Sequence, residues 1–128
     1  MPRSHVVGSC FYYSAFCERD HLWIAIAPIV ERPEYFLCVN VSTKRENSDL
    51  TCELKRGEHP GLTSEASVIV YAQAREFPLA MIQRLSVEQK VAAMPAQVLL
   101  KIQKAPLNET SRLPNKFKKC IKAHLLIP

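Results

Sequence analysis

The sequence predicts an α+β, mainly β domain in which a small, strongly curved antiparallel sheet comes first and helices follow. Three observations carry this. Between residues 20 and 77 the apolar residues come in short runs rich in β-branched and aromatic side chains, separated by polar turn clusters. After Pro78 the apolar spacing changes to that of an amphipathic helix. The chain has 128 residues, 48% of them apolar, which suits one domain with a substantial core.

The elements follow in order. Residues 6–16 are aromatic and can supply a first strand, which Gly8 weakens. Residues 21–28 form an apolar strand bounded by Asp20 and Pro28, and residues 35–41 have the composition of a buried strand. Residues 45–49 are a polar turn cluster, and residues 50–54 alternate as a half-exposed strand does. Residues 67–71 are short and β-branched, and 72–77 continue them after a bend. Pro78 opens a short helix over 79–84, because its missing N–H costs nothing at a helix start. Ser86-Val-Glu-Gln89 reads as a capping box before a helix at 90–93. Pro95 starts a helix over 96–104 with Val98, Leu99 and Ile102 on one face, and Pro106 ends it. Residues 107–115 are irregular, and 116–126 make a last, basic helix. The strand at 35–41 is expected at the centre of the sheet, with the 96–104 helix packed on it.

Charge is unevenly spread. Residues 1–64 hold seven Lys/Arg against eight acids, whereas residues 65–128 hold ten against four. Most of the excess follows Leu100, and such a tail is either a solvated face or an attractor of phosphate. Five cysteines, with no C-x-x-C pair, predict free thiols rather than a disulfide scaffold or a zinc site. The longest apolar run, residues 22–30, is far short of the roughly 20 residues that cross a bilayer. No membrane association is expected, and the polar N-terminal stretch predicts no signal peptide and a cytoplasmic location. No P-loop, H-E-x-x-H, G-x-S-x-G or dinucleotide fingerprint occurs, which disfavours kinases, hydrolase triads and nicotinamide enzymes.

The order of these blocks resembles the PemK/MazF-like toxins of bacterial toxin–antitoxin pairs. Asp20-His-Leu-Trp-Ile-Ala-Ile-Ala-Pro28 is similar to the family's opening strand, and Phe36-Leu-Cys-Val-Asn-Val-Ser-Thr43 to its strand that ends in hydroxyl residues. Cys52-Glu-Leu54, the Gly61–Val70 block, Gln73-Ala-Arg75 and the helix through Ile102 follow in the family's order. The likeness covers about residues 20–104. It implies a small SH3-like curved antiparallel barrel with a C-terminal helix, spanning 1–105, and a basic C-terminal extension over 106–128. The family's Gly-rich loop is shortened here: only seven positions separate Pro28 from Tyr35, and Arg32-Pro33 stands as a bare dipeptide.

The function implied is a metal-independent endoribonuclease acting on single-stranded RNA, without a cofactor. An antitoxin protein and a second copy of the chain are the implied partners. Such cleavage needs a group to help remove the 2′-hydroxyl proton, charge stabilisation at phosphorus, and protonation of the leaving oxygen. By resemblance, Ser42 and Thr43 are the strand-end hydroxyls and Arg32 is the cation. The bland readings are a turn-initiating pair for Ser42 and Thr43 and a solvent-facing hairpin residue for Arg32. Lys44, Arg45 and Arg75 are candidates to line an RNA groove, with Trp23, Tyr35 and Phe36 either stacking on bases or simply forming core. His59 is a loop residue or a catalytic imidazole, while His21 only precedes a strand. The alternative function is a non-catalytic SH3-like module that binds RNA or a protein partner.

Overall fold

A computed structural model describes residues 6–14, 19–108 and 110–128 of the chain. Its strands are β1 (Cys10–Tyr13), β2 (His21–Ile29), β3 (Arg32–Thr43), β4 (Glu53–Lys55) and β5 (Ala66–Pro78). Its helices are α1 (Leu79–Glu88), α2 (Ala96–Lys104) and α3 (Asn115–Leu125), with one 3-10 turn at Ala105–Leu107. The strands form a single antiparallel sheet in the order β1-β2-β3-β5-β4, so β3, which contains residues 35–41, is central. β1 and β4 are its two edges, and among the described residues the sheet is not closed into a barrel.

Side chains alternate across a strand, and both faces of this sheet are covered. On one face Trp23, Ala25, Phe36, Cys38 and Phe77 pack with Phe11 and with Ile82 of α1. On the other, Ile24, Ile26, Leu37, Val39, Ile69 and Tyr71 pack with Val98 and Ile102 of α2 and with Phe117 and Ile121 of α3. This double burial is why β2 is an unbroken apolar run rather than an alternating one. Trp23 and Phe36 are therefore core and not a stacking surface; both are fully buried. The Trp23 indole N–H donates to the Tyr13 carbonyl at 3.0 Å, and the Tyr71 hydroxyl to the Ile102 carbonyl at 2.7 Å. These two buried polar tips thus have partners.

The bend expected after Tyr71 is present. Between the pairs Cys38↔Arg75 and Asn40↔Val70 the register slips, because β5 carries extra residues there. Asn40, fully buried, fills the irregularity by donating to Gln73 Oε1 at 2.9 Å. β4 is shorter and later than the expected strand at 50–54. Asp49 Oδ1 accepts from both the backbone and hydroxyl of Thr51, which curls that segment before it can join the sheet.

Two helical expectations are corrected. α1 does not stop at residue 84 but runs to Glu88, so Ser86 lies inside it and its hydroxyl bonds to the Gln83 carbonyl. The chain leaves α1 through Lys90 at a φ of 53°, and residues 90–93 are not helical. The nearby backbone is engaged elsewhere: the Met94 N–H donates to the Gly8 carbonyl at 2.8 Å, and the Ala92 carbonyl accepts from His59 Nε2 at 2.6 Å. Bonds spent on tertiary partners cannot also build a helical ladder.

Residues 106–128 are not an appendage. Leu113, Phe117, Cys120 and Ile121 are buried in the main core, and the Lys118 ammonium, itself buried, donates to the Asn108 carbonyl at 2.7 Å. The helical spacing of Phe117, Cys120 and Ile121 gives α3 one apolar face. Cys10, Cys38, Cys52 and Cys120 are free, buried thiols; Cys17 lies outside the described residues. No described helix is long and apolar enough to cross a membrane.

Candidate functional site

Antiparallel pairing brings the end of one strand beside the start of the next. The end of β3 therefore lies between the start of β2 and the start of β5, with Trp23 opposite Asn40 and Ser67 opposite Thr43. These three strand ends, the tip of β1 and the segment 61–64 surround an open polar cleft of about 340 Å³. Its lining includes the hydroxyl residues Ser42, Thr43, Ser64 and Ser67, the arginines Arg19 and Arg45, and His21. Asp20 is the acidic residue on its lining.

Local bonds fix several of these groups. Thr43 Oγ1 and Ser64 Oγ are 2.9 Å apart, which ties the strand end to the opposite wall. Arg45 follows β3 in a turn closed by its own N–H, which donates to Ser48 Oγ at 2.7 Å. His21 Nδ1 lies 3.1 Å from the Val41 carbonyl oxygen. A carbonyl only accepts, so that bond places a hydrogen on Nδ1. Gly61 is closely approached: a Cβ there would lie 2.8 Å from the Tyr12 hydroxyl and 3.2 Å from His59 Nδ1, so these side chains would have to shift.

The structure brings some expected residues together and separates others. Ser42, Thr43 and Arg45 share the cleft. Lys44, beside them in sequence, reaches β4 and pairs with Glu53 at 2.5 Å, and that bond holds the Glu53 carboxyl below its usual range. Arg75 lies farther along β5, with its guanidinium 5.2 Å from the centre of the Phe77 ring. Arg32 is at the opposite end of β3. That strand has 12 residues, and at ~3.3 Å per residue its ends are on the order of 30 Å apart. Within one chain Arg32 and Ser42 thus cannot meet at one phosphate. Arg32 instead bonds Glu76 at 3.1 Å and lies over the Tyr35 ring at 3.7 Å. It borders a second cavity, about 380 Å³, shared with Lys116, Phe117 and Lys119 of α3.

His59 is structural. It is buried, its Nδ1 accepts from the Gly61 N–H at 2.9 Å, and its Nε2 meets the Ala92 carbonyl. Arg19, His21, Ser64 and Ser67 carry no sequence signal of their own as a site. Ser64 and Ser67 do stand in the Gly61–Val70 block, but only strand pairing faces them towards Ser42 and Thr43. Among the described residues no group of three or more His, Cys, Asp or Glu side chains could hold a metal ion. Comparison with protein-family models, with curated proteins and with solved structures finds no match to this chain.

Proposed function

We propose that the cleft at the end of β3 binds the backbone of single-stranded RNA and that the protein is a toxin-like, metal-independent endoribonuclease. One observation carries the reading: Ser42 and Thr43 line a single open cleft together with Arg45. A guanidinium fork matches phosphate oxygens, and hydroxyls beside it can hold the same phosphate. The cation role moves from Arg32 to Arg45, which lines the cleft. Arrival of a phosphate there brings charge to a site already open to solvent, so little desolvation opposes it.

The order of the strands and the long, bulged β3 and β5 support an SH3-like sheet opened between β1 and β4. The same reading carries an antitoxin protein as partner, a homodimer, and a cytoplasmic setting. Growth arrest on expression, relieved by the product of an adjacent gene, is its cellular test.

A second reading, a non-catalytic module that binds RNA or a protein, is favoured by one observation. Arg32, the cation that the family likeness implies, is tied to Glu76 far from the hydroxyls. The two readings separate in one assay. The full chain is incubated with a single-stranded RNA and with its all-2′-deoxy counterpart, with and without chelator. The endoribonuclease cuts the RNA alone, at equal rates in both conditions, and leaves 2′,3′-cyclic phosphate ends. Equal cutting of both strands removes 2′-hydroxyl attack, and binding without cutting leaves the second reading.

A further inference from the structure

We propose that Tyr12 is the base-binding platform of the cleft, so that the site takes one unstacked nucleotide with its base on the Tyr12 ring and its phosphate at Arg45. The inference deepens the proposed function and rests on its RNA-binding part, not on cleavage.

Proteins that hold single strands combine a cationic groove for the backbone with aromatic side chains on which bases stack. The aromatic residues that the sequence singles out are placed elsewhere. Trp23 and Phe36 are fully buried, and Tyr35 lies under the Arg32 guanidinium at the far end of β3. Among the described residues, Tyr12 is the only Tyr, Phe or Trp on the lining of the cleft, which it shares with Ser42, Thr43 and Arg45. It precedes the stretch that carries the family likeness, which begins at about residue 20.

Tyr12 is half-buried. It packs against the main core and also borders the cleft, so apolar side chains back the ring while part of it meets solvent. Its backbone is held from both sides. Gln89, at the end of α1, accepts from the Tyr12 N–H through Oε1 at 2.7 Å and donates from Nε2 to the Tyr12 carbonyl at 3.0 Å, as a neighbouring strand would. On the other side Tyr12 pairs with Leu22 of β2. The hydroxyl end reaches the wall at Gly61, where a Cβ would lie 2.8 Å from it. A ring already held in place loses little freedom when a base lands on it.

Size selects the ligand. At about 340 Å³ the cleft is near the small end of ligand-sized sites, which run to roughly 1,000 Å³. A nucleotide suits that space and a duplex does not. A base inside a helical stack has both faces covered, so only an unstacked one can lie on Tyr12.

Two measurements on the full chain test this. In the first, a single-stranded 2′-O-methyl RNA carrying 4-thiouridine is irradiated with the wild-type protein, and the adduct is mapped by mass spectrometry. The adduct should fall on Tyr12. In the second, affinity for the 2′-O-methyl RNA is compared with affinity for an abasic strand of the same length. Wild type should prefer the base-bearing strand by about 10-fold, the scale of stacking one base on one aromatic ring. Tyr12→Leu, which keeps apolar bulk on the core, should bind the two strands alike, and Tyr12→Phe should restore the preference. An adduct found only outside the cleft, equal binding of the two strands by wild type, or a folded Tyr12→Leu protein that keeps the preference would each overturn the role of Tyr12 and leave backbone binding intact. A Tyr12→Leu protein that fails to fold leaves the decision to the adduct. A wild-type protein that binds neither strand would overturn the RNA reading as well.

Discussion

Thr43 Oγ1 and Ser64 Oγ meet at 2.9 Å across the mouth of the cleft, one at the end of β3 and the other in the segment before β5. Residues 21 positions apart in the chain are thereby held as one hydroxyl pair, and Ser42 stands next to it. Thr43 is exposed and Ser42 half-buried, so these hydroxyls can be removed at little cost to folding. The double change Ser42→Ala with Thr43→Ala should slow RNA cleavage on the order of 100-fold, the usual effect of removing a donor to transition-state charge. The melting temperature should stay close to wild type. Rate and thermal melt on the same preparation check it.

The two arginines at opposite ends of β3 should behave differently. Arg45→Ala should weaken RNA binding and slow cleavage on the order of 100-fold. Arg32→Ala should leave both unchanged, since its guanidinium is engaged with Glu76 and Tyr35. Its side chain is 54% exposed, so removing this surface pair should cost about 0.2–1 kcal/mol in urea unfolding. An Arg32→Ala protein that is stable but inactive would return the cation role to Arg32.

Gly61 should not tolerate a side chain. A Cβ would lie 2.8 Å from the Tyr12 hydroxyl and 3.1 Å from Leu22 Cδ2, both packed against the cleft wall. Gly61→Ala should destabilise the fold by about 1–3 kcal/mol, the range for overpacking a close-packed site. Gly57→Ala offers a contrast, because nothing lies near its Cβ position and only its φ of 94° opposes the change. Denaturant midpoints of the two variants make the comparison.

Stability should fall on the alkaline side. Burial pushes the Cys10 thiol from 9.0 up to about 12, outweighing the backbone bond to Met94 that lowers it. Burial likewise raises Cys38 and Tyr71. For a group whose folded pKa is raised, the folded state holds the proton more tightly than the unfolded chain. The contribution of Cys10 is therefore complete below about pH 9 and is lost as pH rises towards about 12. Urea unfolding at stepped alkaline pH should show this fall, and Cys10→Ala should make it shallower.

The charge of α3 is best tested without removing the helix. Phe117, Cys120 and Ile121 are part of the core, so truncation at residue 105 should unfold the protein. Lys116→Gln, Lys119→Gln and Lys122→Gln leave that core in place. Lys118 is kept, because its ammonium holds the Asn108 carbonyl. The triple variant should bind single-stranded RNA more weakly, with a salt slope reduced by about 0.7 for each phosphate that is no longer neutralised. An unchanged slope would make the basic face of α3 a solvated one.

The sequence by itself determined the strands and most of the helices, because their signals are local. The apolar run before Pro28 and the β-branched runs at 36–41 and 67–71 specify extended chain, and Val98 with Ile102 specifies a helix face wherever the neighbours stand. At 50–52 a local Asp49–Thr51 turn delays the expected strand, and at 86–93 long-range bonds competed with the local signal. The Ser86-Val-Glu-Gln89 pattern was absorbed into α1 because the backbone at 92 and 94 is bound to His59 and Gly8. The basic composition after residue 105 likewise concealed an apolar stripe that the sheet needs for cover. The site was legible in part. Ser42, Thr43 and Arg45 lie within four positions, and their proximity is guaranteed by the chain. Which residues face them is not a local property. Strand pairing puts His21 under the Val41 carbonyl, the segment before β5 brings Ser64 against Thr43, and the length of one extended strand carries Arg32 away from Ser42. A hydrophobic pattern fixes which face of a strand is buried, whereas the meeting of polar groups at strand ends depends on how strands pair, and only the tertiary structure decides that.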